Sequence, residues 1–75
     1  MRGKSVAIRL SINGQYDSVE EGTTVAVLLQ QREVRRDVVA VEINQRVIDP
    51  SSYDAVCLRP GDVIEFVYVM GGDAG

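Results

Sequence analysis

A chain of 75 residues with a net charge of -3 and a pI near 4.7 makes one domain and argues against a nucleic-acid binder, which needs a basic face to displace counterions. A chain this short buries about 60% of its unfolded surface, so its core is small but feasible. One cysteine and no histidine exclude a Cys/His zinc site, a disulfide and a Ser-His or Cys-His nucleophile pair, and no stretch approaches the roughly 20 apolar residues of a membrane span.

The basic start, Met1-Arg2-Gly3-Lys4, is followed by a segment that contains Arg9 and has no small-residue cleavage site. It does not read as a signal peptide, and the expectation is a cytoplasmic protein with a reduced thiol. From Val6 to Ile12 apolar and polar residues alternate, which predicts a half-buried strand with Val6, Ile8, Leu10 and Ile12 facing inward. Asn13-Gly14 is a strong hairpin signal because both positions tolerate positive φ. Gln15 to Val19 is then expected to pair back as a second strand, and Glu20-Glu21-Gly22 breaks the pattern.

Thr23 or Thr24 supplies an N-cap oxygen for a helix from about Val25 to about Val34, marked by Val25, Leu28, Leu29 and Arg32 at helical spacing. Arg32, Arg35 and Arg36 near its end are either a partner patch or, as favoured, cations at the negative end of the helix dipole. Val38 to Ile43 is nearly continuous in apolar character, which predicts a third strand placed centrally in the sheet. Asn44-Gln45 turns it into a short strand, Arg46-Val47-Ile48. Asp49-Pro50-Ser51-Ser52-Tyr53 reads as a turn into a single helical turn with proline at its start. Leu58-Arg59-Pro60-Gly61-Asp62 is a second turn, with Pro60 fixing φ and Gly61 at positive φ as in type II. Val63 to Met70 is the last strand, expected beside the first in the middle of the sheet. The class is α+β, a mixed sheet of four to five strands packed on one helix.

Residues 1–70 are thus one domain, and 71–75 form a tail in which Gly71-Gly72 is followed by Asp73, Ala74 and Gly75. Two glycines make a thin, flexible segment suited to threading into a narrow active site. If Ile64, Phe66 and Tyr68 face the core, Glu65, Val67 and Val69 lie on the opposite face with Ala40 and Glu42. An open, partly apolar face beside the tail is a natural docking surface, although packing on both sides of the sheet also accounts for the run. Cys57 sits in an apolar run with no His or Lys beside it in sequence, so a buried small hydrophobe is expected rather than a reactive thiol. Asp62 and Glu65 are accounted for by a turn and an outward strand position rather than as a catalytic acid pair. No catalytic residue and no metal site are assigned.

Asn13-Gly14, Thr24-Val25, Leu28-Leu29, Val39-Ala40-Val41-Glu42-Ile43-Asn44, Leu58, Gly61-Asp62-Val63-Ile64-Glu65 and Gly71-Gly72, in this order, resemble the ThiS-type sulfur carriers of thiamine biosynthesis. The resemblance runs from the first strand to Gly72 and implies the β-grasp, or ubiquitin-like, fold. It implies a carrier rather than an enzyme, with no bound cofactor. Its terminal glycine carboxylate is adenylated with ATP by an E1-like, ThiF-type partner. Sulfur then replaces AMP, and the thiocarboxylate supplies a ThiG-type thiazole synthase. On this pattern Gly72 is the acyl terminus and Gly71 gives clearance. Asp73-Ala74-Gly75 departs from it, being a segment trimmed by a protease, an extension that abolishes carrier activity, or an addition foreign to the natural chain. Other sulfur carriers, such as the small subunit of molybdopterin synthase, usually have prolines before the glycine pair, which Val67-Tyr68-Val69-Met70 lacks. A non-catalytic β-grasp interaction module and a ubiquitin-like modifier are the remaining readings.

Overall fold

The computed structural model describes residues 6–69. Its elements are β1 (Ala7–Ile12), β2 (Gln15–Glu20), α1 (Val25–Gln31), β3 (Val39–Ile43), β4 (Arg46–Val47) and β5 (Val63–Tyr68), with 3-10 turns at Arg36–Val38 and Pro50–Ser52. The strands form one mixed sheet in the order β2-β1-β5-β3-β4, so the last strand is the central one. It runs parallel to β1 and antiparallel to β3.

The turns that fix this order are local. Asn13 and Gly14 have φ of 53° and 85°, and Asn44 and Gln45 have 54° and 70°, so both hairpins use paired left-handed residues. Pro60-Gly61 makes the second kind of turn, with Gly61 at φ 85° and Asp62 N–H donating to Arg59 O at 3.1 Å. Asp62 ties this turn to the β3–β4 hairpin. Its carboxylate accepts from Arg59 N–H at 2.9 Å and from Asn44 Nδ2 at 3.0 Å, while Asn44 Oδ1 accepts from Val63 N–H at 3.0 Å.

Thr24 is the N-cap of α1, its hydroxyl accepting from Val27 N–H at 3.2 Å. Thr23 is buried and donates instead to Glu20 O. The helix ends at Gln31, short of the expected Val34. Glu33 takes φ 58°, and N–H groups of Glu33 and Val34 donate back to Gln30 O and Leu29 O. This is a Schellman closure with glutamate where glycine is usual, and Val34 packs on the core from beyond it. The chain then forms the short Arg36–Val38 turn, which no local signal announces.

One face of the sheet carries the core: Ile8, Leu10 and Ile12 of β1, Val39, Val41 and Ile43 of β3 and Ile64 of β5 meet Val25, Leu28 and Leu29 of α1. Tyr53 and Leu58 close it from the long β4–β5 connection. Asp49 caps the 3-10 turn there by accepting from Ser51 N–H at 3.0 Å, which positions Tyr53. Two expected core residues lie outside it. Val6 is 51% and Tyr68 is 55% exposed: Val6 precedes β1, and Tyr68 ends β5 where β1 no longer runs beside it.

Candidate partner-docking face

In an antiparallel ladder directly opposed residues share a face. Ala40 lies opposite Val67, Glu42 opposite Glu65, and Glu42 also opposite Val47 on the other side. Val69 continues the alternation, and its N–H donates to Val38 O at 2.9 Å. The five residues expected on one surface, Ala40, Glu42, Glu65, Val67 and Val69, are therefore brought together on the side of the sheet away from α1. Val67 is 45% and Val69 55% exposed, so they do not pack on both sides of the sheet.

The same face holds two apolar residues that the sequence reading missed, Val47 and Val63, which are 68% and 45% exposed. Val63 was accessible from the alternation with Glu65. Val47 required the β3–β4 register. The result is a valine surface with Glu42 and Glu65 side by side within it. Like charges directly opposed across a ladder repel, so this pair favours a cationic group on whatever covers it.

Farther along the face, Arg9, Ser11, Tyr16, Pro60 and Val63 line a shallow groove of about 560 Å³. It sits at the start of β5, the end remote from Val69. Gly71 and Gly72, the expected acyl tail, lie outside the described residues.

The three arginines after α1 are each engaged locally. Arg32 pairs with Asp17 of β2, Arg35 with Asp37, and Arg36 lies over the Tyr53 ring at 5.1 Å while donating to Pro50 O. Arg32 is the helix C-cap and Arg35 and Arg36 lie beyond it, so none of the three stands in the last turn of α1, where the helix dipole acts. The hydrogen bond from Arg32, with that from Ser18 N–H, holds the Asp17 carboxyl below the usual carboxylate range. Arg35 does the same for Asp37, and Ser51 for Asp49.

Cys57 is exposed, against the expectation of burial. It bridges Thr24 in an extended segment whose flanking residues, Val56 and Leu58, turn toward the core, so strand alternation sends Cys57 outward. Asp62 is a turn tie and Glu65 an outward strand residue, as expected.

A mixed five-stranded sheet wrapped on one helix, with the final strand in its centre, defines the protein as a member of the β-grasp class. The ThiS family model matches residues 10–72, and the chain belongs to the ThiS family. It is similar to the crystal structure of a thiamine biosynthesis protein (ThiS) from Geobacter metallireducens, with a TM-score of 0.78 and 35% identity over 88% of this chain and 100% of that one. The solution structure of a thiamine biosynthesis protein from the same organism gives a TM-score of 0.70 and 34% identity, covering 89% of this chain and 90% of that one. Proteins named thiazole synthase from Magnetococcus marinus and Paramagnetospirillum magneticum are each 37% identical over 65 residues, 87% of this chain. The chain spans 20% of the length of those relatives.

Proposed function

We propose that this protein is a sulfur carrier of thiamine biosynthesis that presents Gly72 to partner enzymes. The observation that carries the reading is the position of β5. Its first half is tied to β1 and its whole length to β3, and the chain leaves Val69 for Gly71-Gly72 from the middle of a rigid sheet. A glycine pair following in sequence offers no side chains that would block a narrow channel.

The chemistry belongs to the partners. In an E1-like, ThiF-type enzyme the Gly72 carboxylate attacks the α-phosphorus of ATP and expels pyrophosphate. A sulfur nucleophile then displaces AMP, and the thiocarboxylate passes to a ThiG-type thiazole synthase. The face of Val67, Val69, Ala40, Glu42 and Glu65 docks these enzymes, and Gly71 gives the backbone clearance. The two thiazole synthases that contain a segment similar to this chain support association with that enzyme. The setting is cytoplasmic, where such partners and ATP reside.

Asp73-Ala74-Gly75 places the Gly72 carbonyl in a peptide bond, so the working form requires release of those residues by a protease. ATP–pyrophosphate exchange with the cognate adenylating enzyme tests this on forms ending at Gly72 and at Gly75. The Gly72 form is expected to support exchange and then gain the mass of sulfur for oxygen. Gly72→Ala in that form is expected to slow it, because a Cβ crowds the channel. Equal activity of both forms without trimming would make Gly75 the acyl terminus, and inactivity of both would favour a non-catalytic binding module.

A further inference from the structure

The central strand is only half enclosed. Val69 N–H donates to Val38 O and Asn44 N–H to Val63 O, which fixes the odd-numbered residues of β5 as the ones bonded to β3. Ile64, Phe66 and Tyr68 therefore direct their backbone groups to the opposite edge. There β1 reaches only as far as the pairs Ser11–Val63 and Ile12–Ile64. Asn13 N–H donates to Ile64 O at 2.8 Å, and Asn13 Oδ1 accepts from Phe66 N–H at 2.8 Å. The chain then turns away through Gly14. Beyond that point the carbonyl of Phe66 and the N–H and carbonyl of Tyr68 face no strand among the described residues.

Natural sheets guard such edges with charges, proline or a bulge. This one has none: Phe66-Val67-Tyr68-Val69 is uncharged and regular in register. It is also too short to hold two copies together, since isolated strand pairs of a few residues are marginal in water. An occupant must therefore be one that the chain already engages elsewhere. Gly72 lies three residues beyond Val69, a reach of about 10 Å when fully extended. Any enzyme that holds Gly72 in its active site must press its surface against this end of β5.

Proteins named thiazole synthase contain a segment similar to this chain, which singles out that enzyme as the occupant; we propose that the free edge of β5 at Phe66–Tyr68 receives an extended segment of thiazole synthase as an added strand, with Tyr68 N–H and Phe66 O as the pairing groups. This rests on the carrier reading above and gives it a docking register. Backbone pairing on the edge fixes the direction in which the tail leaves. Valines 67 and 69 supply apolar contact on the adjoining face.

The test is residue-resolved amide hydrogen exchange on the chain ending at Gly72, free and mixed with its cognate thiazole synthase. In the free chain Tyr68 exchanges fast beside protected Val67 and Val69. In the complex Tyr68 is expected to slow by about tenfold or more. Tyr68→Pro removes the N–H while leaving both flanking residues paired with β3, and is expected to weaken the complex about tenfold, the worth of one backbone hydrogen bond. Tyr68→Ala keeps the N–H and is expected to bind within about threefold of the parent. A complex with Tyr68 still exchanging freely overturns the edge and leaves the carrier reading intact. Absence of any complex, together with no thiocarboxylate formation, overturns both. Protection of Tyr68 in the free chain overturns the edge as well, marking self-association if it rises with concentration and closure by the chain itself if it does not.

Discussion

Asn13 is asked to do two separable things, and substitution can tell them apart. It holds φ 53° in the β1–β2 turn, and its Oδ1 accepts from Phe66 N–H at 2.8 Å across 53 positions of sequence. Asn13→Ala loses both. The left-handed backbone costs an alanine about 1 kcal/mol more than an asparagine, and the lost hydrogen bond about another 1 kcal/mol. Asn13→Gly accepts the φ and loses the bond, so its cost is about 1 kcal/mol. Asn13→Asp keeps an acceptor and tolerates the turn, and is expected near the parent. For a domain of this size each kcal/mol moves Tm by about 4–8 °C. The alanine variant is therefore expected to melt about 8–16 °C below the parent and the glycine variant about half as far. Thermal unfolding followed by circular dichroism, with urea titration for the free energies, reads the order. Alanine and glycine variants that melt together would refute the backbone part of the reasoning. A glycine variant equal to the parent would refute the hydrogen bond.

Val67→Lys/Val69→Lys is expected to change stability by less than about 1 kcal/mol, because both side chains are half-exposed, while binding to the adenylating enzyme falls sharply. Collapse of the melt would place them in the core. Tyr53 is fully buried and its hydroxyl has no hydrogen-bond partner among the described residues, so Tyr53→Phe is expected to be neutral or to stabilise by up to about 1 kcal/mol in urea. A loss larger than that would reveal a partner for the hydroxyl. The carboxyls of Asp17, Asp37 and Asp49 are held below the ordinary 3.8 by Arg32, Arg35 and Ser51 respectively. A depressed folded-state value means stability that is present above that ordinary value and lost as pH falls through the lower one. Urea midpoints should hold steady from neutral pH down to about 5 and fall below about 4, less steeply for Asp17→Asn and at high salt.

Most of the architecture is legible in the sequence because it is written in residues with one physical use. Asn13-Gly14, Asn44-Gln45 and Pro60-Gly61 specify their turns, and alternation in β1 and β5 specifies their faces. Asn13, Asn44, Gly61 and Asp62, among the residues that mark the family resemblance, hold turns or tie them to β5. What they specify is the scaffold, and the open face follows from it by register. The misread features depend on tertiary context. The helix stops at Gln31 because Glu33 accepts a left-handed conformation in which glycine is the expected residue, and Val34 keeps the helical spacing while lying outside the helix. Cys57 sits among apolar neighbours, yet a bridge to Thr24 decides which way it points. Val47 joins the face only through pairing with Glu42, a relation that no spacing within the sequence encodes.

The central place of β5 also governs when the domain can exist at all. Among the described residues the two hairpins β1–β2 and β3–β4 are bridged by β5, and they stay unjoined in the sheet until Val63–Tyr68 inserts between them. Isolated hairpins are marginal in water, and joining them requires contacts across nearly the whole chain. A nascent or cleaved chain that stops short of β5 presents bare strand edges and no closed core, a substrate for proteases and chaperones. Closure of the sheet therefore waits on β5: a chain that lacks Val63–Tyr68 holds two hairpins with no strand to join them.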